Sequence, residues 1–454
     1  MSSSTLPSPA PRSPIVRVVG ASLVGTTVEW YDFFLYGAAA ALVFPELFFP
    51  NSDPLTGTLL SFLTYAVGFV ARPLGGVVFG HFGDKIGRKK LLILSLLLMG
   101  GATFAIGLLP TYATIGSWAA VLLTLLRLVQ GFALGGEWGG AVLIVSEHGS
   151  PEHRGFWASW PQAGAPAGQV LGAGVLALMA TTLSDDAFLS WGWRVPFLLS
   201  AVLIIVGLYV RLAVTESPLF LQAQAKAAAL AAETGAAEKA PILAVLKDYR
   251  REVLTAMGAR FAENVSYYII TAFALAYVVT QVGLDRSFAL NAVLIGSAVE
   301  FFAIPAWGAL SDRVGRRPVY LFGAVGVGVW AFPFFALLNT GSFPAAVLAV
   351  TVGLLFHGAM FGPQAAFFSE LFGTKVRYSG VSIGYQLASI FAGSLAPIIA
   401  VALLQRYASG TPVAIYLILG SLLTIASVAL YAETRTRDLG ADDAVEARLA
   451  ARRG

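Results

Sequence analysis

The chain has 454 residues, of which 57% are hydrophobic and only 12% charged, with a formal net charge of +4, 48 glycines and a mean hydropathy of +0.76. Soluble domains are not built this way, and the basic residues collect in turns and tails rather than on a face mixed with stacking aromatics, which argues against a nucleic-acid partner. With no cysteine, and with His81, His148, His153 and His357 at no metal-ligand spacing, disulfides and thiolate chemistry are excluded and neither a metal nor a cofactor is expected.

Residues 1–18 are rich in Ser and Pro and predict a short cytoplasmic tail. The apolar run that follows is too long for a signal peptide and carries Glu29 and Asp32, so it is expected to stay as a first membrane span despite the cleavage-like Ala38-Ala39-Ala40. Runs long enough to cross about 30 Å of hydrocarbon lie at 19–43, 56–79, 91–109, 117–146, 155–181, 193–213, 253–281, 287–310, 319–338, 344–370, 377–404 and 412–431. These twelve predicted helices divide into an N-terminal six-helix bundle (19–213) and a C-terminal one (253–431). The Ala- and Lys-containing stretch 214–252 reads as a cytoplasmic linker, and 432–454 as a second cytoplasmic tail. Twenty-three of the 29 Lys and Arg residues fall in the tails and even-to-odd turns, against Arg286 and Arg406 in the opposite loops. By the positive-inside rule both termini are cytoplasmic, in a multi-pass protein of the cell membrane.

The halves are related by duplication. Gly80-His81-Phe82-Gly83-Asp84-Lys85-Ile86-Gly87-Arg88 returns as Gly308-Ala309-Leu310-Ser311-Asp312-Arg313-Val314-Gly315-Arg316, 228 residues later. The glycines permit a tight turn between packed helices, the Asp can cap the helix that follows, and the Arg holds the turn at an anionic membrane face. A second repeat sets Ser146-Glu147 with Arg154 and Ser369-Glu370 with Arg377, 223 residues apart. Asp84, Arg88, Glu147, Arg154, Asp312, Arg316, Glu370 and Arg377 are therefore the candidate gating residues, with each Glu expected to pair with the Arg of its own turn; the alternative is that these pairs only anchor helix ends.

Ionisable residues inside a span are costly and ordinarily face a polar cavity. Glu29, Asp32 and Tyr36 share one face of the first span; Arg127 and Gln130 share a face of the fourth, with Glu137 seven residues on. Arg260, Glu263, Asn264 and Tyr267 form a polar stripe on the seventh span, and Arg260 stands 52 residues before Asp312 just as Asp32 stands 52 before Asp84. Opposite charges thus face the centre from corresponding depths of the two halves. Asp32, with Glu29 as second choice and Arg127 and Glu137 beside them, is the candidate proton carrier, because a desolvated carboxylate can be neutralised by a proton and held ionised by a nearby arginine once the proton leaves. Arg127 and Arg260, one from each half, are expected to grip a substrate carboxylate, since a guanidinium offers it a two-pronged match. Gln162, His357, Gln364, Tyr385 and Gln386 complete the candidate substrate contacts, His357 being equally suited to helix packing. By the same repeat Arg72 corresponds to Glu300, and both are expected to be pinned to other helices. No nucleophile-base pair is visible, so an enzyme is not expected.

The paired turns resemble the signature loop of the major facilitator superfamily, and Arg127-Leu128-Val129-Gln130-Gly131 resembles its fourth-helix arginine motif. Val28-Glu29-Trp30-Tyr31-Asp32-Phe33, Arg72-Pro73-Leu74-Gly75-Gly76, Gly135-Gly136-Glu137-Trp138-Gly139 and Trp191-Gly192-Trp193-Arg194-Val195-Pro196-Phe197 narrow the likeness to its metabolite:proton symporter family. The resemblance covers roughly residues 17–431. It implies an all-α integral membrane protein with the major facilitator fold, twelve transmembrane helices in two pseudo-symmetric bundles. It further implies a monomer whose partners are the lipid bilayer, a proton and a small carboxylated or zwitterionic metabolite, shikimate-like, dicarboxylate or betaine-like, taken into the cell by alternating access. The alternative is a proton-coupled exporter, to whose fifth-span Gly-Pro motif Gly164-Ala165-Pro166-Ala167-Gly168 is an imperfect match.

Overall fold

The computed structural model describes residues 15–86, 88–135, 145, 150–213, 245, 247–372 and 377–437. Its twelve long helices are α1 (Ile15–Leu42), α2 (Pro54–Ile86), α3 (Arg88–Leu108), α4 (Trp118–Leu134), α5 (Arg154–Thr182), α6 (Arg194–Ala213), α7 (Arg250–Val282), α8 (Arg286–Val314), α9 (Arg316–Asn339), α10 (Phe343–Leu371), α11 (Arg377–Ala388, continued by Leu395–Tyr407) and α12 (Thr411–Ala429). Among the described residues nine helices are long and apolar enough to cross a membrane. The other three are α1, interrupted by Glu29 and Asp32, and the shorter α3 and α4; of the predicted fourth span 117–146, residues 136–144 and 146 lie outside the described ones.

The packing repeats with a period of six helices. In the first half α1 packs on α5, α2 on α4 and α3 on α6; in the second α7 packs on α11, α8 on α10 and α9 on α12. Polarity is distributed inside out relative to a soluble protein. Ile205, Phe302 and Val329 are 68%, 73% and 70% exposed, whereas Arg72, Arg127, Arg260, Glu300 and Arg316 are at most 2% exposed. Apolar side chains facing lipid cost nothing, and ionisable ones are confined to the interior where partners exist. α7 and α11 each contain a wider, π-helical turn, at Ile269–Phe273 and Ser389–Ser394, and in α11 it brings Ser389 Oγ to 3.3 Å from Arg260 Nη2.

The halves meet where α5 crosses α8. A Cβ on Gly308 would stand 2.6 Å from the Gly155 carbonyl oxygen and 2.6 Å from Ser159 Oγ, so only glycine lets the two backbones touch. The contact lies on the face that carries the start of α1 and the end of α12. On the opposite face the halves are joined by Arg286 at the start of α8, which donates to the Leu42 carbonyl (3.1 Å), to Asp185 Oδ1 (3.1 Å) and to Glu46. Gln405 of α11 adds a hydrogen bond to Thr56 of α2 (3.0 Å). Both faces are therefore bridged at once, and the centre is occluded.

Two outcomes test this closure, read by maleimide labelling of a pocket-wall cysteine (Trp30→Cys) in a chain that has no native cysteine. Gly308→Ala should separate α5 from α8 and raise labelling from the face bearing the start of α1 and the end of α12. Arg286→Ala, which removes partly exposed ion pairs of roughly 1 kcal/mol, should raise labelling from the opposite face about fivefold. Unchanged labelling would mean that the respective contact does not hold its face shut.

Candidate functional site

At the centre lies a narrow pocket between the halves. Trp30 and Phe34 of α1 and Ala165 of α5 line it from the first half; Arg260, Glu263, Asn264, Tyr267 and Tyr268 of α7, His357 and Phe361 of α10 and Tyr385 of α11 line it from the second. The whole α7 stripe therefore faces the pocket, as its spacing predicts. Arg260 donates to Gln364 Oε1 (2.9 Å), pairs with Glu263 Oε2 (3.2 Å) and stacks over the Tyr385 ring. Gln364 donates to Glu263 Oε2 (3.1 Å) and to Tyr320 Oη (2.9 Å), so it orients the pair from behind the wall. His357 bridges two carboxylates, Glu263 through Nε2 (3.2 Å) and Glu300 through Nδ1. Glu300 is thus held by another helix, as its position predicts.

The charges of the first half form a separate layer. Arg127 is sandwiched by the rings of Phe33, Tyr36 and Tyr65, 4.4 to 4.5 Å from its guanidinium, and donates to Gln130 Oε1 (3.0 Å) and the Tyr65 carbonyl (3.4 Å). Gln130 passes the chain on to Thr103 (2.7 Å), which with Arg127 acts on Asp32. Asp32 is 2% exposed, and its Oδ1 has no hydrogen-bond partner among the described residues. Glu29 acts on the charge of Arg72, whose guanidinium lies over Phe33 and Phe69. The expectation that Arg127 and Arg260 grip one carboxylate between them needs correction for this conformation: Arg127 is absent from the pocket wall because three aromatic rings enclose it. Tyr36, bonded to Thr64 (2.7 Å), Gln162, directed to the Phe361 carbonyl (3.5 Å), and Gln386, directed to the Gly135 carbonyl (3.4 Å), also stand off the wall.

On the face bearing the start of α1 and the end of α12 a third cluster ties the halves together. Glu370 of α10 accepts from Arg154 of α5 (3.2 Å), from Arg316 of α9 (3.3 Å) and from Thr434 beyond α12 (2.6 Å). Asp312 pairs with Arg316 (2.6 Å) and accepts from the backbone N–H groups of Gly155 and Phe156, both at 2.8 Å. Two expectations are corrected here. Asp312 caps α5 of the other half instead of the helix that follows it, whose first N–H groups, Arg316 and Arg317, are capped by Glu433 at 2.9 and 3.0 Å. Glu370 is engaged by Arg154 and Arg316, so the motif Glu of the second half meets the motif Arg of the first; sequence spacing reports neighbours along the chain and is blind to helices brought together across an interface. Glu137 and Glu147, and the side chains of Asp84, Arg88 and Arg377, lie outside the described residues. The Arg286 clasp and the docking of Glu433 and Thr434 escaped sequence reasoning, because single charges in loops carry no periodic signal.

Residues 18–443 match the sugar (and other) transporter family. The chain belongs to that family, within the major facilitator superfamily. It is 42% identical over 421 residues to the shikimate transporter of Escherichia coli K12, covering 92% of this chain and 95% of that one. It is 34% identical over 438 residues to the proline/betaine transporter of the same organism, covering 93% and 84%. Its fold superposes on a xylose transporter from E. coli in a partially occluded inward-open conformation, with a TM-score of 0.72 at 18% identity over 94% of this chain and 99% of that chain. The protein is a membrane transporter and not an enzyme, and its twelve-helix, two-bundle fold is the one the duplication predicts.

Glu370→Gln should leave buried Arg154 without its carboxylate while Arg316 keeps Asp312, a loss of roughly 3–5 kcal/mol. The pocket should open toward the face bearing the start of α1 and the end of α12. Asp312→Asn, which keeps one acceptor but turns an amide toward the α5 N–H groups, should slow substrate exchange while leaving equilibrium binding nearly intact. Lost binding with a preserved exchange rate would place Asp312 in the substrate site instead.

Proposed function

We propose that the protein is a proton-coupled symporter that brings a small carboxylated or zwitterionic metabolite into the cell by alternating access, with both chain ends cytoplasmic. The observation that carries this reading is Arg260, a buried guanidinium on the wall of a closed pocket between the halves. In a low-dielectric cavity a carboxylate needs such a partner, and a guanidinium engages both of its oxygens. The aromatic neighbours Trp30, Phe34, Tyr267, Tyr268, Phe361 and Tyr385 suit the carbon skeleton or an alkylammonium group of a zwitterion. The relatedness to transporters named for shikimate and for proline and betaine points to the same chemical class. Membership of a transporter family and the positive-inside count support the orientation.

In this reading Asp32 carries the driving proton. It sits one layer behind Phe34 on α1, joined through Thr103 and Gln130 to Arg127. With Asp32 ionised the Arg127 charge is balanced; with Asp32 protonated it is not, so loading a proton biases the first half toward a different arrangement.

Uptake of labelled shikimate and of glycine betaine into energised vesicles, with and without a protonophore, tests the function. An inward proton gradient should drive accumulation of at least one, and accumulation driven by sodium alone would reject the symporter. Arg260→Lys should weaken carboxylate binding by about tenfold or more, the worth of a charge-assisted hydrogen bond at roughly 1.5–3 kcal/mol. Asp32→Asn should abolish proton-driven accumulation while counterflow exchange persists; normal accumulation by that variant would remove Asp32 from the role.

A further inference from the structure

His357 stands between two carboxylates, and the arrangement has a strict proton requirement. Nε2 is 3.2 Å from Glu263 Oε1, and Nδ1 contacts Glu300 Oε1. An ionised carboxylate only accepts hydrogen bonds, and a neutral imidazole donates from one nitrogen alone. A neutral His357 between two ionised carboxylates would therefore set one nitrogen lone pair against an oxygen lone pair. One further proton, on the imidazole or on either carboxyl group, removes the conflict. Charge demands the same proton independently. Arg260, Glu263, Glu300 and a neutral His357 carry one net negative charge, and none of the four is more than 4% exposed. A dry interior disfavours such an excess strongly.

Among the described residues no group beyond Arg260 supplies a compensating cation. Tyr267 of α7, with its ring 4.7 Å from that of His357, Tyr320 of α9, reached through Gln364, and Tyr385 of α11, beneath Arg260, are phenols. Arg260 is already engaged by Glu263 and Gln364. From the first half the pocket receives only Trp30, Phe34 and Ala165.

We propose that Glu263, His357 and Glu300 form a proton-binding relay in the second half, a site separate from Asp32. Glu263 and His357 are on the pocket wall, and Glu300 lies behind them with its Oε2 lacking a hydrogen-bond partner among the described residues. A proton arriving from the pocket is taken by Glu263 and handed to His357 Nε2, while Nδ1 releases its own proton to Glu300; one proton is displaced and no other bond changes. A substrate carboxylate on Arg260, in the reading given above, adds negative charge beside Glu263, and a further proton taken up by the relay offsets it. Substrate and proton are then linked across a single side chain.

The test needs no substrate, so its failure is distinguishable from failure of the transport reading. The full-length protein, purified and with ¹⁵N-labelled histidine, is examined by solid-state NMR in lipid at neutral pH, His357 being assigned by loss of its signal in His357→Gln, and carboxyl protonation is followed by infrared spectroscopy. The wild type should show either two N–H groups on His357 or one protonated carboxyl band. Glu263→Gln and Glu300→Gln each supply an amide that donates or accepts and each remove the excess negative charge, so in both the added proton should disappear while the protein stays monodisperse. A singly protonated His357 with both carboxylates ionised in the wild type, or a signal unchanged in both variants, would overturn the relay.

Discussion

The structure depends on one constraint: a charge taken out of water into the middle of a membrane protein must meet a partner. This chain buries Arg72, Arg127, Arg154, Arg260 and Arg316 together with Glu29, Asp32, Glu263, Glu300 and Glu370. None of these is tolerable alone, so the helices carrying them are held at the distances that neutralise them. The consequence differs by location. Within a half, pairing fixes the bundle; between halves, it fixes the conformation.

The interface shows how the second case works. Arg154 belongs to the first half and Glu370 to the second, and the carboxylate of Asp312 serves as the N-terminal cap of a helix in the opposite bundle. Such bonds require that face to be shut, so each favours that arrangement by the energy it adds to it alone. Close approach of α5 and α8 is the prerequisite, and Gly155 and Gly308 supply it by presenting no side chain at the crossing. Arg286 performs the corresponding task on the other face with more exposed partners, which makes its hold weaker and more sensitive to salt.

The two halves, though duplicated, contribute unequally to the centre. The first presents aromatic and small apolar side chains to the pocket and keeps its charges one layer back, enclosed in rings. The second exposes an arginine, a glutamate and a histidine directly. Duplication fixed the packing of the backbones, while divergence at corresponding depths, Asp32 opposite Arg260 and Arg72 opposite Glu300, left the halves with complementary chemistry. The pocket between them therefore has one apolar and one ionic wall.

Periodicity and repetition along the chain determined a good deal by themselves. Hydrophobic run length marked the twelve helices, the paired Gly-Asp-Gly-Arg turns revealed the duplication, and the i, i+3, i+4, i+7 spacing of Arg260, Glu263, Asn264 and Tyr267 put them on one face that does line the pocket. These are local properties, set by the rise and turn of one helix and by the thickness of a bilayer. What only the tertiary structure decided is which charge meets which. Arg127 stands off the pocket wall although its helix face is polar, Glu370 bonds Arg154 across the interface, and His357 lies between Glu263 and Glu300 from two other helices. Each of those pairings joins residues more than fifty positions apart, through the rotation of one helix against another, and no pattern along a single chain segment encodes that angle.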